Sequence, residues 1–152
     1  MNSKKHVLIV AASPRRNGNS TLLAMKAVEG VGAAGGEADI VPIGNLRISP
    51  CTACDACRTT PGTGCVKLDD MQPIYQKIKD ADGIIFATPI YWFNMSAQMK
   101  AFIDRTYAMT ANGRYAFTGK NMGVILSYAD VDVFALGRGQ CFTFLSGYMR
   151  LC

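Results

Sequence analysis

Several chemistries are missing from this chain. It has a single histidine, His6, placed at the entrance of an apolar run and read as structural. No Ser–His–Asp, zinc-hydrolase or paired-carboxylate arrangement is evident. There is no G-x-x-x-x-G-K-[ST], so the lysine and magnesium hydroxyl of a nucleoside triphosphatase are lacking. There is no G-x-G-x-x-G either, so a Rossmann dinucleotide grip is unsupported. The N-terminal apolar run is about six residues, too short for a signal-peptide core or a membrane span. Basic residues are scattered, with Lys4-Lys5 and Arg15-Arg16 the only adjacent pairs, which argues against a nucleic-acid stripe. Expectations are therefore no membrane, no nucleic acid and, with bunched cysteines and no leader, a reducing cytoplasm.

What is present suits one compact domain spanning residues 1–152, with a cysteine-rich loop at 51–65. The chain has 152 residues, 49% of them hydrophobic, and a net charge of +5 that favours anionic small molecules. Val7 to Ala11 reads as a parallel strand covered on both faces. A helix follows from Ser20 to about Val31, with Leu22, Met25 and Val28 on one side and Leu23 and Ala27 beside them. A glycine cluster from Gly30 to Gly36 ends it. Ala38 to Ile43 is a short strand whose Pro42 suits an edge. A helix to about Lys79 starts at Asp69-Asp70, with Asp70 as N-cap and Pro73 at its third position. Gly83 to Thr88 is a third strand and Pro89 to Met95 the loop after it. Ser96 caps a helix through Arg105, with Met99, Phe102 and Ile103 inward. Asp104 and Arg105 are expected to cap the helix or pair on its surface. Asn121 to Leu126 is a fourth strand, and Val133 to about Met149 a fourth helix.

Strands alternating with helices give a parallel α/β sheet with right-handed crossovers. A doubly wound sheet of this kind usually has five strands, and a fifth is missing here. The apolar edge of the fourth strand therefore implies either a longer natural polypeptide or another chain covering it.

Two segments carry chemistry. Ser13-Pro14-Arg15-Arg16-Asn17-Gly18-Asn19-Ser20-Thr21 links the first strand to the first helix. Unpaired N–H groups and the helix dipole meet there. Hydroxyls of Ser13, Ser20 and Thr21 and an arginine add donors suited to a terminal phosphate monoester. An ordinary connection with Ser20 as N-cap needs only one hydroxyl and leaves the rest unexplained. Cys51-x2-Cys54-x2-Cys57-x7-Cys65 is the second segment. Its thiolates can converge on one point, as an iron–sulfur cluster requires, and reduced thiols, zinc or disulfides remain open. Cys141 and Cys152 lie outside the motif, with Cys141 read as a buried apolar residue.

The loop 13–21, together with Thr88-Pro89-Ile90-Tyr91-Trp92-Phe93-Asn94-Met95-Ser96 and the following residues to Arg105, resembles the NAD(P)H-dependent FMN reductase family. That resemblance implies a flavodoxin-like fold of strand order 2-1-3-4-5, with FMN at the switch point between strands 1 and 3. It implies phosphate contacts from Ser13, Arg15, Asn19, Ser20 and Thr21. Pro89, Ile90, Tyr91, Trp92, Phe93 and Asn94 would border the ribityl chain and ring, with Ser127 and Tyr128 at the far edge. NAD(P)H would be co-substrate, and a quinone, flavin or similar small molecule the acceptor. A homodimer or homotetramer is implied too. The cysteine spacing and the sequel Val66-Lys67-Leu68-Asp69-Asp70-Met71 are similar to the iron–sulfur flavoproteins of the same group. In those, a [4Fe–4S] cluster on Cys51, Cys54, Cys57 and Cys65 would exchange electrons with a ferredoxin-like donor. A non-enzymatic thiol redox sensor is the third reading.

Overall fold

A computed structural model describes residues 3–59, 64–110, 115 and 117–129. The expected helix Val133–Met149, Cys141 and Cys152 lie outside the described residues. The order is β1 (His6–Ala11), α1 (Asn19–Ala33), β2 (Glu37–Val41), a 3-10 turn at Ile43–Asn45, α2 (Ala56–Thr59) and α3 (Gln72–Asp80). Next come β3 (Gly83–Tyr91), β4 (Asn94–Met95), α4 (Ala97–Arg105), a 3-10 turn at Thr106–Met109 and β5 (Asn121–Ser127).

β2, β1, β3 and β5 lie side by side in that order, all parallel, as the doubly wound reading requires. β2 occupies an edge, and Pro42 stands just beyond it, where a missing N–H costs no ladder bond. Period-two alternation along the strands sorts the core into two layers. Leu8, Val10, Ile84 and Phe86 pack with Ile74 and Ile78 of α3 and Met99 and Phe102 of α4. Phe86 meets Phe102 and Phe117 edge-on, at 6.3 and 5.8 Å between centroids. Ile9, Ala11 and Ala87 face the opposite way, onto Ala24 of α1.

Three expectations are corrected here. α1 does not turn its large apolar residues inward: Leu22, Leu23 and Met25 are about half exposed. Its inner stripe is Ser20, Ala24, Ala27 and Val28, spaced i, i+4, i+7, i+8. The helix lies against the alanines Ala11 and Ala87, so small side chains fit the gap and Ser20 is carried inward. Secondly, Asp70 is not the cap of α3. The helix begins at Gln72 with Pro73 second, and Asp70 accepts instead from Arg47 N at 2.7 Å. Thirdly, β3 runs on to Tyr91 and folds back as a hairpin, with Tyr91 opposite Asn94. The two turn residues, Trp92 and Phe93, have φ of 47° and 68°. Those signs define the mirror-image turn that matches strand twist, usually supplied by Asn-Gly.

Candidate functional site

The parallel register brings the ends of β1, β3 and β5 to one rim: Ala11 opposes Ala87, and Pro89 opposes Ser127. A cleft of about 250 Å³ lies there. It is lined by Ser13, Arg15, Asn19 and Ser20 from the first loop and by Pro89, Ile90, Tyr91 and Ser127 from the other strands. Asn17, Gly18 and Tyr128 also line it. Thr21 does not; its hydroxyl turns to Arg15 O at 3.4 Å. Trp92, Phe93 and Asn94 form the hairpin tip beside the cleft rather than its wall, and Trp92 is 92% exposed.

Ser20 Oγ is buried and has no hydrogen-bond partner. A buried hydroxyl without a partner is costly, so this atom marks a place for a polar ligand group. Gly18, at the N-cap of α1, makes no side-chain cap bond. A Cβ there would come within 2.5 Å of Ser13 Oγ, so glycine is what keeps the cradle open. Ser13 Oγ itself accepts from Arg15 N at 3.1 Å, which curls the loop.

Two supports of this cradle escaped the sequence reading. Ser96 does cap α4, accepting from Met99 N at 3.3 Å. Its hydroxyl also donates to Ala12 O at 3.2 Å, and its N–H donates to Thr88 Oγ1 at 3.1 Å. The exits of β1 and β3 are thereby tied together. Gly44, in the turn after β2, presses on the cradle from outside: a Cβ there would lie 1.9 Å from Ser13 O and 2.9 Å from Pro14 N. The only available hint was a glycine two residues past Pro42.

A second, much smaller cavity, of about 20 Å³, lies at the other end of α4. Cys51, Cys54, Cys57 and Cys65 all line it, together with Arg105 and Tyr107. The four cysteines are free thiols. Burial pushes the Cys57 thiol up, and the neighbouring Cys65 and Cys54 push it further. Among the described residues no three His, Cys, Asp or Glu side chains are grouped as they would be around a single metal ion. A cluster spreads its thiolates over several irons, so they stand further apart than around one ion, and four thiols around one cavity suit that donor set. α2 closes the cavity: Arg58 stacks on Tyr107 at 5.1 Å, and Tyr107 Oη donates to Asp55 at 3.3 Å.

Arg105 is the correction at this place. Expected on the surface, it is 1% exposed. Its guanidinium donates to Asp69 at 2.6 and 3.0 Å and to Ser49 O at 2.9 Å, while Nε has no partner. Burial works to raise the Asp69 pKa, but Arg105, Ser49 N and Met71 N bring it down to about 2. Asp104, by contrast, pairs with Lys100 on the surface as expected. Tyr75 Oη donates to Arg105 O at 3.1 Å, and burial raises its pKa to about 12.

The sequence profile described as NADPH-dependent FMN reductase matches residues 6–133. The chain belongs to that family. An iron–sulfur flavoprotein of Methanosarcina thermophila is 41% identical over 119 residues, covering 78% of this chain and 60% of the relative. One from Methanocaldococcus jannaschii is 35% identical over 100 residues, covering 66% and 51%. The chain thus spans half to three-fifths of the length of these relatives. Among solved structures, the NAD(P)H:quinone oxidoreductase of Methanothermobacter marburgensis superposes with a TM-score of 0.71 at 20% identity. That match covers 95% of this chain and 76% of that one. This last likeness speaks for the flavodoxin-like fold. Among the described residues no helix is long and apolar enough to cross a membrane.

Proposed function

We propose that the chain is an FMN-dependent oxidoreductase, taking a hydride from NAD(P)H and passing electrons to a small acceptor such as a quinone or a flavin. The observation that carries this reading is the buried, unpartnered Ser20 Oγ at the rim where β1 and β3 end. Membership of the FMN reductase family supports it. In this reading Ser13, Arg15, Asn19 and Ser20 hold the phosphate, with Gly18 keeping space for it, while Thr21, whose hydroxyl turns to Arg15 O, braces the loop. Ser20 and the N–H groups at the head of α1 donate, and Arg15 supplies charge. Pro89, Ile90 and Tyr91 bound the side on which a flat ring would lie, with Ser127 and Tyr128 across from them. Trp92, Phe93 and Asn94 stand next to it, where the aromatic tip shields the ring from water. FMN, when bound, supplies the hydride and electron chemistry. The protein positions it and limits access.

The test compares FMN with riboflavin by flavin fluorescence quenching. Arg15→Ala combined with Ser20→Ala should weaken FMN by about tenfold or more per lost charge-assisted bond and leave riboflavin almost unchanged. Equal losses for both ligands would place the phosphate elsewhere.

The four free cysteines around one cavity favour a second reading. Here Cys51, Cys54, Cys57 and Cys65 hold a [4Fe–4S] cluster, and the protein relays single electrons between a ferredoxin-like donor and the flavin. The names of the archaeal relatives point the same way. Anaerobic purification with iron, sulfide and visible-absorption measurements separates the readings. Flavin bands alone leave the reductase, and a broad brown shoulder with stoichiometric iron and sulfide adds the relay. A protein that binds neither group would leave a thiol sensor.

A further inference from the structure

The cysteine cavity is walled by a buried cation whose counter-ion faces away. Arg105 lines the cavity and Asp69 does not, although the two are paired at 2.6 Å. Asp69 is held from its other side by the N–H groups of Ser49 and Met71, at 3.0 and 3.2 Å. The pair is therefore a fixed dipole with its positive end towards the thiols. Arg105 also keeps one donor in reserve: Nε is buried without a partner, while the terminal nitrogens are occupied. A buried N–H left unpaired on a residue of this wall calls for an acceptor there. Asp55 and Lys67, of opposite charge, also line the cavity, and Arg58 beside it is exposed and engaged with Tyr107 and Thr110.

We propose that Arg105 is a positioning residue for a cysteine-held cluster, its charge and spare Nε–H favouring the reduced form. This rests on the cluster reading above. Such a cluster with four thiolates is already anionic, and one-electron reduction adds one negative charge without a proton or any bond change. Net charge near the cluster and hydrogen bonds to its sulfurs are among the factors that set the potential. A cation fixed at the wall, shielded from solvent, raises it. Asp69 opposes this from further away and holds the guanidinium in register.

The experiment is a redox titration of the anaerobically reconstituted full chain. Dithionite is the electron donor, and the cluster is followed by electron paramagnetic resonance. Arg105→Gln should move the midpoint to lower potential. Asp69→Asn should move it to higher potential, because the cation is then uncompensated. Arg105→Lys should stay near the parent. The first two variants break the same ion pair, so a merely structural role lowers the unfolding temperature of both and cannot shift the potentials in opposite directions. If Arg105→Gln fails to fold, Asp69→Asn and Arg105→Lys still carry the test. Shifts of the same sign, or none, with iron and sulfide retained, overturn the inference about Arg105. A parent chain that takes up no iron and sulfide overturns the cluster reading and this inference with it.

Discussion

The two cavities stand at opposite ends of one helix and are built by opposite means. α4 begins at Ser96, beside the open cleft, and ends at Arg105, in the wall of the cysteine cavity. Its nine residues span about 13 Å. The cleft is made by neighbouring strand ends, and its unpartnered buried atom is the Ser20 hydroxyl. The cysteine cavity is made by a loop laid over a helix terminus, and its unpartnered atom belongs to a buried cation. In the proposed function one place binds and releases a soluble anion and the other holds a negative charge, so changes at one end should leave the other untouched.

The sharpest break is Cys57→Ser. It should bring bound iron and sulfide to background while flavin affinity, read by fluorescence quenching, stays at the parent value. Simultaneous loss of flavin would mean that the two ends form one site.

Gly44→Ala probes the other end. Its Cβ cannot fit against Ser13 O, so the cradle must shift, at a cost of about 1–3 kcal/mol. FMN affinity should fall by roughly five- to a hundredfold, riboflavin affinity by much less, and iron content not at all. Unchanged FMN affinity would show that the turn after β2 yields and does not set the cradle.

How far the sequence revealed each end follows from how each is built. The cleft rests on parallel register and adjacent loops, and both are local signals: an apolar run, then hydroxyls, an arginine and a helix. Ser13, Arg15, Asn19, Ser20, Pro89, Ile90, Tyr91 and Ser127 consequently line one cleft. The cysteine motif was equally visible, because spacing is a sequence property. Its wall was not. Arg105 lies beyond Ile103 on an amphipathic helix, where a charged residue normally faces water. Only its pairing with Asp69, far away in the chain, brings it inside. Asp70 looked like a helix cap because a cap is a local pattern. The N–H groups of Arg47 and Ser49, which Asp70 and Asp69 bind, belong to a remote segment. The hairpin at Trp92-Phe93 was hidden because two aromatics stand where Asn-Gly is the usual signal.

The acid limb of stability sharpens the contrast between the two ends. The Asp69 pKa is brought down to about 2 in the fold, against roughly 3.9 in an unfolded chain. A depressed carboxyl contributes stability above its unfolded pKa and loses it as pH falls through the folded one. Between about pH 4 and pH 2 the protein should therefore lose roughly 2 kcal/mol through this one group. Urea unfolding at a series of pH values measures it. Asp69→Asn should be less stable at neutral pH and should lack that part of the slope. An identical slope in the variant would assign the acid sensitivity to other carboxyls.

The smallest effect is expected one residue from the pair that matters most. Asp104 and Arg105 adjoin at the end of α4, and each is ion-paired: Lys100–Asp104 at 2.6 Å and Arg105–Asp69 at 2.6 Å. Equal distances conceal unequal environments. The Lys100 and Asp104 side chains are 49% and 40% exposed, so solvent screens them. The cation also precedes the anion along the helix, the weaker order, and Asp104 sits by the negative end of the helix dipole. Asp104→Asn should therefore change unfolding free energy by less than about 0.5 kcal/mol. Breaking the buried Arg105–Asp69 pair from one side should cost about 3–5 kcal/mol. A large loss in Asp104→Asn would show that burial is not what separates the two pairs.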